Sequence, residues 1–301
     1  MTRRLTLPGA AIVLAALALG PSTRLDAARQ AAEQHVYVSV TTRDQAPIEG
    51  LAAGDFVVRE DGVAREVLRV TPAPPPTHVA LLADDTESAQ SVITDIRQGL
   101  TAFVKTMAMA DPTPAQALVT FGDRPTRAVA YALDTSALMQ GINRLFSKPG
   151  SGSQFLDAVI EEAAELRRQQ AARPVLVAVV VESGPEFSTA LHQRVEDALK
   201  TAGASLWTIA FTPGGQPLAT PEGRERAQVL TDVARRSGGD ARNVLSRQAI
   251  SQALARTATQ ILARYDVVYS RPDRMIPPEK LQVEVKRDGA RVVAPAWTGG
   301  R

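Results

Sequence analysis

Between residues 77 and 264 the chain alternates short apolar runs with segments of helical period, and this constrains its fold more than any other feature. The strand-length runs are His78–Ala83, Ala117–Phe121, Val175–Val181, Ser205–Phe211 and Ala241–Leu245. Ala89–Met107, Ser136–Phe146, Gln154–Arg168, 188–201, 223–236 and 247–263 carry the helical spacing. The run Val175–Val181 (VLVAVVV) has no polar face, as expected of a strand covered on both sides. Such alternation builds a parallel sheet with helices on both faces. One connection is too short for a crossover helix: the Gly-Asp-Arg-Pro turn before Arg127–Leu133. That strand is therefore antiparallel and at an edge, with His78–Ala83 near the centre. The expected class is α/β, a doubly wound, mostly parallel sheet with one antiparallel edge strand, plus a small accessory β unit.

The accessory unit is read at residues 36–70. Val36–Val40 alternates, Phe56–Arg59 is a second strand, Asp61-Gly62 is a hairpin turn, and Ala64–Val70 returns as a third. Residues 71–76 (TPAPPP) form a stiff Pro-rich linker. The α/β domain occupies 77–264. A C-terminal strand pair fills 265–295: Tyr265–Ser270 and Leu281–Ala294, the second bent at Arg287-Asp288-Gly289. Three strands alone are marginal in water, so both terminal segments should pack together or against one end of the α/β domain.

Residues 1–28 read as a secretory signal peptide. Arg3 and Arg4 precede an Ala- and Leu-rich run, Gly9–Gly20, of h-region rather than membrane-spanning length. An uncleaved N-terminal anchor is the alternative. The formal charge of +2 comes from this segment, since Arg3, Arg4 and Arg24 against Asp26 amount to +2. The remainder is near neutral and shows no basic face, so nucleic acid is not an expected partner. The absence of cysteine excludes disulfides, thiolate nucleophiles and Cys-ligated zinc. His35, His78 and His192 share no short spacing, which argues against a histidine-rich metal site. His78 opens a buried strand and reads as structural.

Ligands of open α/β sheets bind at the carboxyl ends of the strands. There the chain places Asp84-Asp85-Thr86-Glu87-Ser88, then Gly152-Ser153 before a helix, then Glu182-Ser183-Gly184-Pro185-Glu186. Hydroxyls and carboxylates on one rim are hard-oxygen donors suited to Mg²⁺ or a similar divalent cation. Asp84, Ser88 and Ser153 are equally N-cap residue types for the helices that follow. The cluster Glu161, Glu162 and Glu165 reads as a solvated helix face.

At these residues the chain resembles the von Willebrand factor A (VWFA) domain family. Asp84-x-Thr86-x-Ser88 is similar to that family's D-x-S-x-S motif, and Ser153 falls where the family has a Thr. Ser183 falls where it has an Asp, and Glu182 is directed by strand alternation to the opposite face. The signal, the Gly54–Gly62 segment (GDFVVREDG), the Pro linker and Tyr265-Asp-Val-Val-Tyr269 look like the exported VWFA-related proteins of acidobacteria. The resemblance implies a degenerate metal-ion-dependent adhesion site (MIDAS) at Asp84, Thr86, Ser88, Ser153 and Ser183. With one carboxylate missing, it implies weak binding of Mg²⁺ or another divalent cation, or none. It further implies a periplasmic or secreted, non-enzymatic module of adhesion type for a protein partner in the cell envelope, without a membrane span after signal cleavage. The alternative is a metal-assisted hydrolase acting at the same rim through Asp84 and Asp85.

Overall fold

The structure, a computed structural model, describes residues 31–213, 219–272, 276 and 278–298. The expected signal peptide lies outside the described residues. Six strands form the main sheet: β5 (His78–Ala83), β6 (Ala115–Thr120), β7 (Thr126–Ala132), β8 (Val175–Val181), β9 (Ser205–Phe211) and β10 (Ala241–Val244). Their order is β10-β9-β8-β5-β6-β7. Every neighbouring pair is parallel except β6 with β7. The chain thus starts at the centre, runs outward through β6 and β7, and returns to the other side of β5. The topological switch lies between β5 and β8, where such sheets bind ligands.

Side-chain alternation along the strands divides the core in two. Val79, Leu81 and Ala83 pack with Ile96, Leu100 and Phe103 of α1 (Ile93–Met107) and with Leu254 and Ile261 of α7 (Gln248–Leu262). Also on this side are Leu138 and Ile142 of α2 (Thr135–Asn143). Ala80 and Leu82 face Phe155 and Leu166 of α3 (Phe155–Arg168) and Val195 and Leu199 of α4 (His192–Ala202). Every residue of β8 and β9 is buried, the price of helices on both faces. The helix after β9 is interrupted. It runs as α5 (Pro221–Gln228), one π turn (Val229–Val233) and α6 (Ala234–Arg236). Thr208 of β9 donates its hydroxyl to the Leu230 carbonyl inside that turn (2.6 Å).

The terminal segments form two further sheets. One has the order β13-β1-β11-β4, from β1 (Ala31–Thr41), β4 (Val67–Pro72), β11 (Arg264–Pro272) and β13 (Arg291–Val293). The other is β12-β2-β3, from β2 (Phe56–Glu60), β3 (Val63–Arg65) and β12 (Leu281–Val285). N-terminal and C-terminal strands therefore pair directly, β1 with β11 and β2 with β12. Between the sheets lie Val36, Val38, Phe56, Val58, Tyr265, Val267 and Tyr269. Glu60 is buried there, accepting from Tyr269 Oη (2.9 Å) and Arg65 Nε (2.9 Å). Two expectations fail in this region. Ala64–Val70 is not one strand: it breaks at Glu66, and its halves join different sheets. Leu281–Ala294 likewise divides at the Arg287–Gly289 bend, and Tyr265–Ser270 pairs with neither half. Alternation records which face of a strand is apolar, and says nothing of which sheet it joins. The Pro-rich segment also starts later than expected, because Thr71 and Pro72 finish edge strand β4, where a missing N–H costs no ladder bond.

Two buried arginines join the accessory sheets to the main one. Arg264 donates to the carbonyls of Tyr37 (2.9 Å) and Gly238 (2.6 Å) and lies over the Trp207 ring. Arg173 donates to the carbonyls of Pro74 and Ile261 and lies over Tyr37. A third ionic cluster corrects the solvated-face reading of α3. Glu162 is only 3% exposed, and accepts from Arg127 Nη2 (2.5 Å) and Tyr131 Oη (3.0 Å) of edge strand β7. Glu161 alone of the three acids is fully on the surface; Glu165 is half-buried and bonded to Gln169 (2.6 Å). His78 is half-buried, with Nδ1 2.9 Å from Thr77 Oγ1 and its ring edge-on to Tyr131.

Candidate functional site at the carboxyl edge of the main sheet

β5 ends at Ala83, and the next residue reaches across the switch point. Asp84 is fully buried. Its Oδ1 accepts from the Thr86 amide (2.9 Å) and hydroxyl (2.7 Å), and its Oδ2 from the Val181 amide at the end of β8 (2.8 Å). Burial pushes this carboxyl upward. The three hydrogen bonds and the nearby charge of Arg226 act in the opposite direction. Asp84 does not cap α1, which starts only at Ile93 after a 3₁₀ turn at Glu87–Ala89.

Thr86 is buried and Ser88 half-buried, and both face the loop after β8. Gly184 sits so near that a Cβ there would collide with Ser88 Oγ and lie 3.9 Å from Thr86 Oγ1. Asp84, Thr86 and Ser88 are thus brought together with Gly184. Ser183 is exposed. Glu182 is turned away, as alternation requires, and accepts from Thr212 Oγ1 (2.5 Å) at the end of β9.

Ser153 is buried, but its bonds lead to a different carboxylate. Its hydroxyl donates to Glu186 Oε2 (2.6 Å) and accepts from the Phe155 amide (3.2 Å), which opens α3. Glu186 Oε1 accepts from the amides of Phe155 (3.1 Å) and Ser188 (3.2 Å). Backbone bonds Ser153 N to Pro185 O (2.9 Å) and Phe187 N to Ser153 O (2.7 Å) hold the two loops side by side. Burial raises the Glu186 carboxyl, against its serine bonds and the Arg226 charge. Asp85 serves the loops too: it accepts from the Gly122 amide (2.6 Å) and pairs with Lys148 Nζ (2.9 Å).

Arg226 of α5 lies under this rim, 1% exposed. Its Nη2 donates to the Glu182 carbonyl (2.6 Å), and its Nη1 is 3.7 Å from Glu186 Oε2. Among the described residues, neither its Nε nor its Nη1 has a hydrogen-bond partner. Sequence reasoning placed Glu186 on the rim without a role and missed Arg226 altogether. The segment Pro221–Gln228 is almost wholly polar, and nothing in it marks one arginine as buried.

The donor set does not fit a divalent cation. Affinity for Mg²⁺ or Ca²⁺ follows the number of anionic oxygens free to converge on it. Both Asp84 oxygens already accept hydrogen bonds, as do both Glu186 oxygens, and a guanidinium shares their field. Among the described residues, no group of three or more His, Cys, Asp or Glu side chains is placed to hold a metal.

Four large apolar side chains stand exposed at the same edge of the sheet. Phe146, Phe187, Leu191 and Leu245 are each more than half exposed, in loops at this edge of the sheet. Beside Asp85 opens a cavity of about 620 Å³, lined among others by Val129, Gln140, Leu145, Phe146 and Lys148.

A doubly wound, mostly parallel sheet with one antiparallel edge strand makes this an α/β protein, and the Asp-x-Thr-x-Ser loop at its switch point is where it resembles von Willebrand factor A domains. No protein-family model and no curated protein matches the sequence. Among solved structures, the SpRpn10 VWA domain is similar at 15% identity and a TM-score of 0.46, over 60% of this chain and 94% of that one. BatB from Bacteroides thetaiotaomicron, a conserved hypothetical protein, is 12% identical with a TM-score of 0.44, over 61% and 99% of the two chains. The pilus adhesin SpaC from Lactobacillus rhamnosus GG is 9% identical with a TM-score of 0.48, over 80% of this chain and 47% of that one. Among the described residues no helix is long and apolar enough to cross a membrane.

Proposed function

We propose that the chain is an exported, non-enzymatic module that docks a protein partner on the carboxyl edge of its main sheet. One observation carries this reading. Of the nine large hydrophobic side chains that are exposed among the described residues, four stand in the loops of that edge: Phe146, Phe187, Leu191 and Leu245. Exposed aromatic and aliphatic side chains around a polar centre suit a protein interface. The hydrolase alternative has less support, because Asp85, its second acid, is committed to Gly122 and Lys148. Export is supported by the charged and apolar segment at residues 1–28.

The experiment is capture of a partner from native envelope extract on the immobilised chain. The edge variant carries Phe146→Ser, Phe187→Ser and Leu191→Ser; the control carries Met109→Ser and Leu133→Ser, exposed outside that edge. A protein retained by the wild type and the control but lost by the edge variant supports the proposal. Equal retention by all three overturns it.

A further inference from the structure

We propose that the guanidinium of Arg226 takes the electrostatic place of a divalent cation, making this rim a metal-independent site. Two carboxylates, Asp84 and Glu186, are buried in the loops that follow β5 and β8. Burying carboxylate charge is costly unless a positive charge compensates it. Arg226 supplies it from beneath: Nη1 is 3.7 Å from Glu186, and its field acts on Asp84 as well. Nη2 is fixed on the Glu182 carbonyl, in the loop that also contributes Ser183 and Gly184. The side chain is itself 1% exposed, so its charge acts at low dielectric.

The hydroxyls fit the same assignment. Ser153 donates to Glu186 and Thr86 donates to Asp84. Each carboxylate is thus held by hydroxyl and amide donors, while one guanidinium offsets part of their charge. A divalent cation brought to these oxygens would have to displace those donors and would meet a fixed positive charge. The inference concerns the chemistry of the rim and holds whether or not a partner docks there.

The test uses the full chain and Mn²⁺ as probe, with free Mn²⁺ followed by electron paramagnetic resonance. The wild type should show no site tighter than about 1 mM, and its thermal midpoint should be the same in EDTA as in Mg²⁺. Arg226→Met removes the charge and keeps most of the volume. It should lower the midpoint and gain Mn²⁺ affinity by about tenfold or more, a gain abolished when Asp84→Asn is added. Arg226→Lys, which restores a cation, should return the protein to metal indifference. A wild-type site of sub-millimolar affinity that Asp84→Asn removes would overturn the inference. So would an Arg226→Met protein with unchanged midpoint and unchanged Mn²⁺ binding. Where Arg226→Met does not fold, the wild-type titration and the lysine variant decide the matter. Equal partner retention by the wild type, the control and the edge variant, with metal indifference intact, would count against the docking surface alone.

Discussion

Replacing Glu162 by alanine should destabilise the protein far more than replacing its neighbour Glu161, though the sequence presents them as equivalent. Glu162 is 3% exposed and accepts two hydrogen bonds from edge strand β7, from Arg127 Nη2 at 2.5 Å and Tyr131 Oη at 3.0 Å. A hydrogen bond to a charged group contributes about 1.5–3 kcal/mol. The Arg127 side chain is 31% exposed, so water screens part of that pair and takes up the donor once Glu162 is gone. The Tyr131 hydroxyl is more enclosed and is left unpaired. Together these give a loss of about 2–3 kcal/mol for Glu162→Ala, against less than about 0.5 kcal/mol for exposed Glu161→Ala. Urea denaturation of the full chain measures both. A double-mutant cycle with Arg127→Met isolates the ion pair, with an expected coupling of about 1 kcal/mol or more. Equal losses for the two glutamates, or zero coupling, would mean that α3 does not hold β7 through this cluster.

Three further outcomes follow from the packing and the charge. Gly239→Ala should cost about 3 kcal/mol or more in denaturant unfolding, because the added Cβ would collide with the Leu206 carbonyl of β9. Gly54→Ala, whose Cβ would meet no atom within 4 Å, should stay within about 1 kcal/mol of wild type. Thr208→Val removes the hydroxyl that serves the Leu230 carbonyl in the π turn, and should cost about 1–2 kcal/mol with hydrogen exchange accelerated at Val229–Val233. Glu225 accepts from the His192 amide (2.9 Å) and ring Nδ1 (2.6 Å), and these bonds hold its carboxyl below the ordinary 4.5. The unfolded chain therefore binds this proton more tightly. The stability it contributes is complete above 4.5 and is lost as pH falls through the lower folded value. Glu225→Gln should flatten the acid limb of the stability profile; an unchanged acid limb would refute the assignment.

The main sheet was legible because its signals are local. An all-apolar run such as Val175–Val181 specifies a doubly covered strand from its own seven residues. The shortness of the turn before β7 likewise specifies its direction. Asp84, Thr86 and Ser88 were found together for the same reason, being neighbours in the chain that end one strand and begin one turn. What escaped was the choice of partner. Ser153 has the hydroxyl that the motif requires, yet it bonds Glu186, because the loop after β8 is laid beside it by backbone bonds. Glu162 sits in a run of acids that reads as wet, and only the antiparallel edge strand brings Arg127 and Tyr131 over it.

Arg226 carries this reasoning furthest. Amphipathic periodicity detects burial through apolar side chains, so a buried guanidinium in a polar helix leaves no trace in it. Its burial is tolerable because the strand order sets the Glu186 carboxylate and the Glu182 carbonyl against it and brings Asp84 within its field. These come from the loop after β5 and the loop after β8, adjacent in space at the switch point and far apart in sequence. The dependence also runs the other way: without that cation, Asp84 and Glu186 would be two buried charges with only hydrogen-bond donors to hold them. A site of this kind cannot be read one residue at a time, since neither the acids nor the arginine has a reason to be buried until the topology has placed the other.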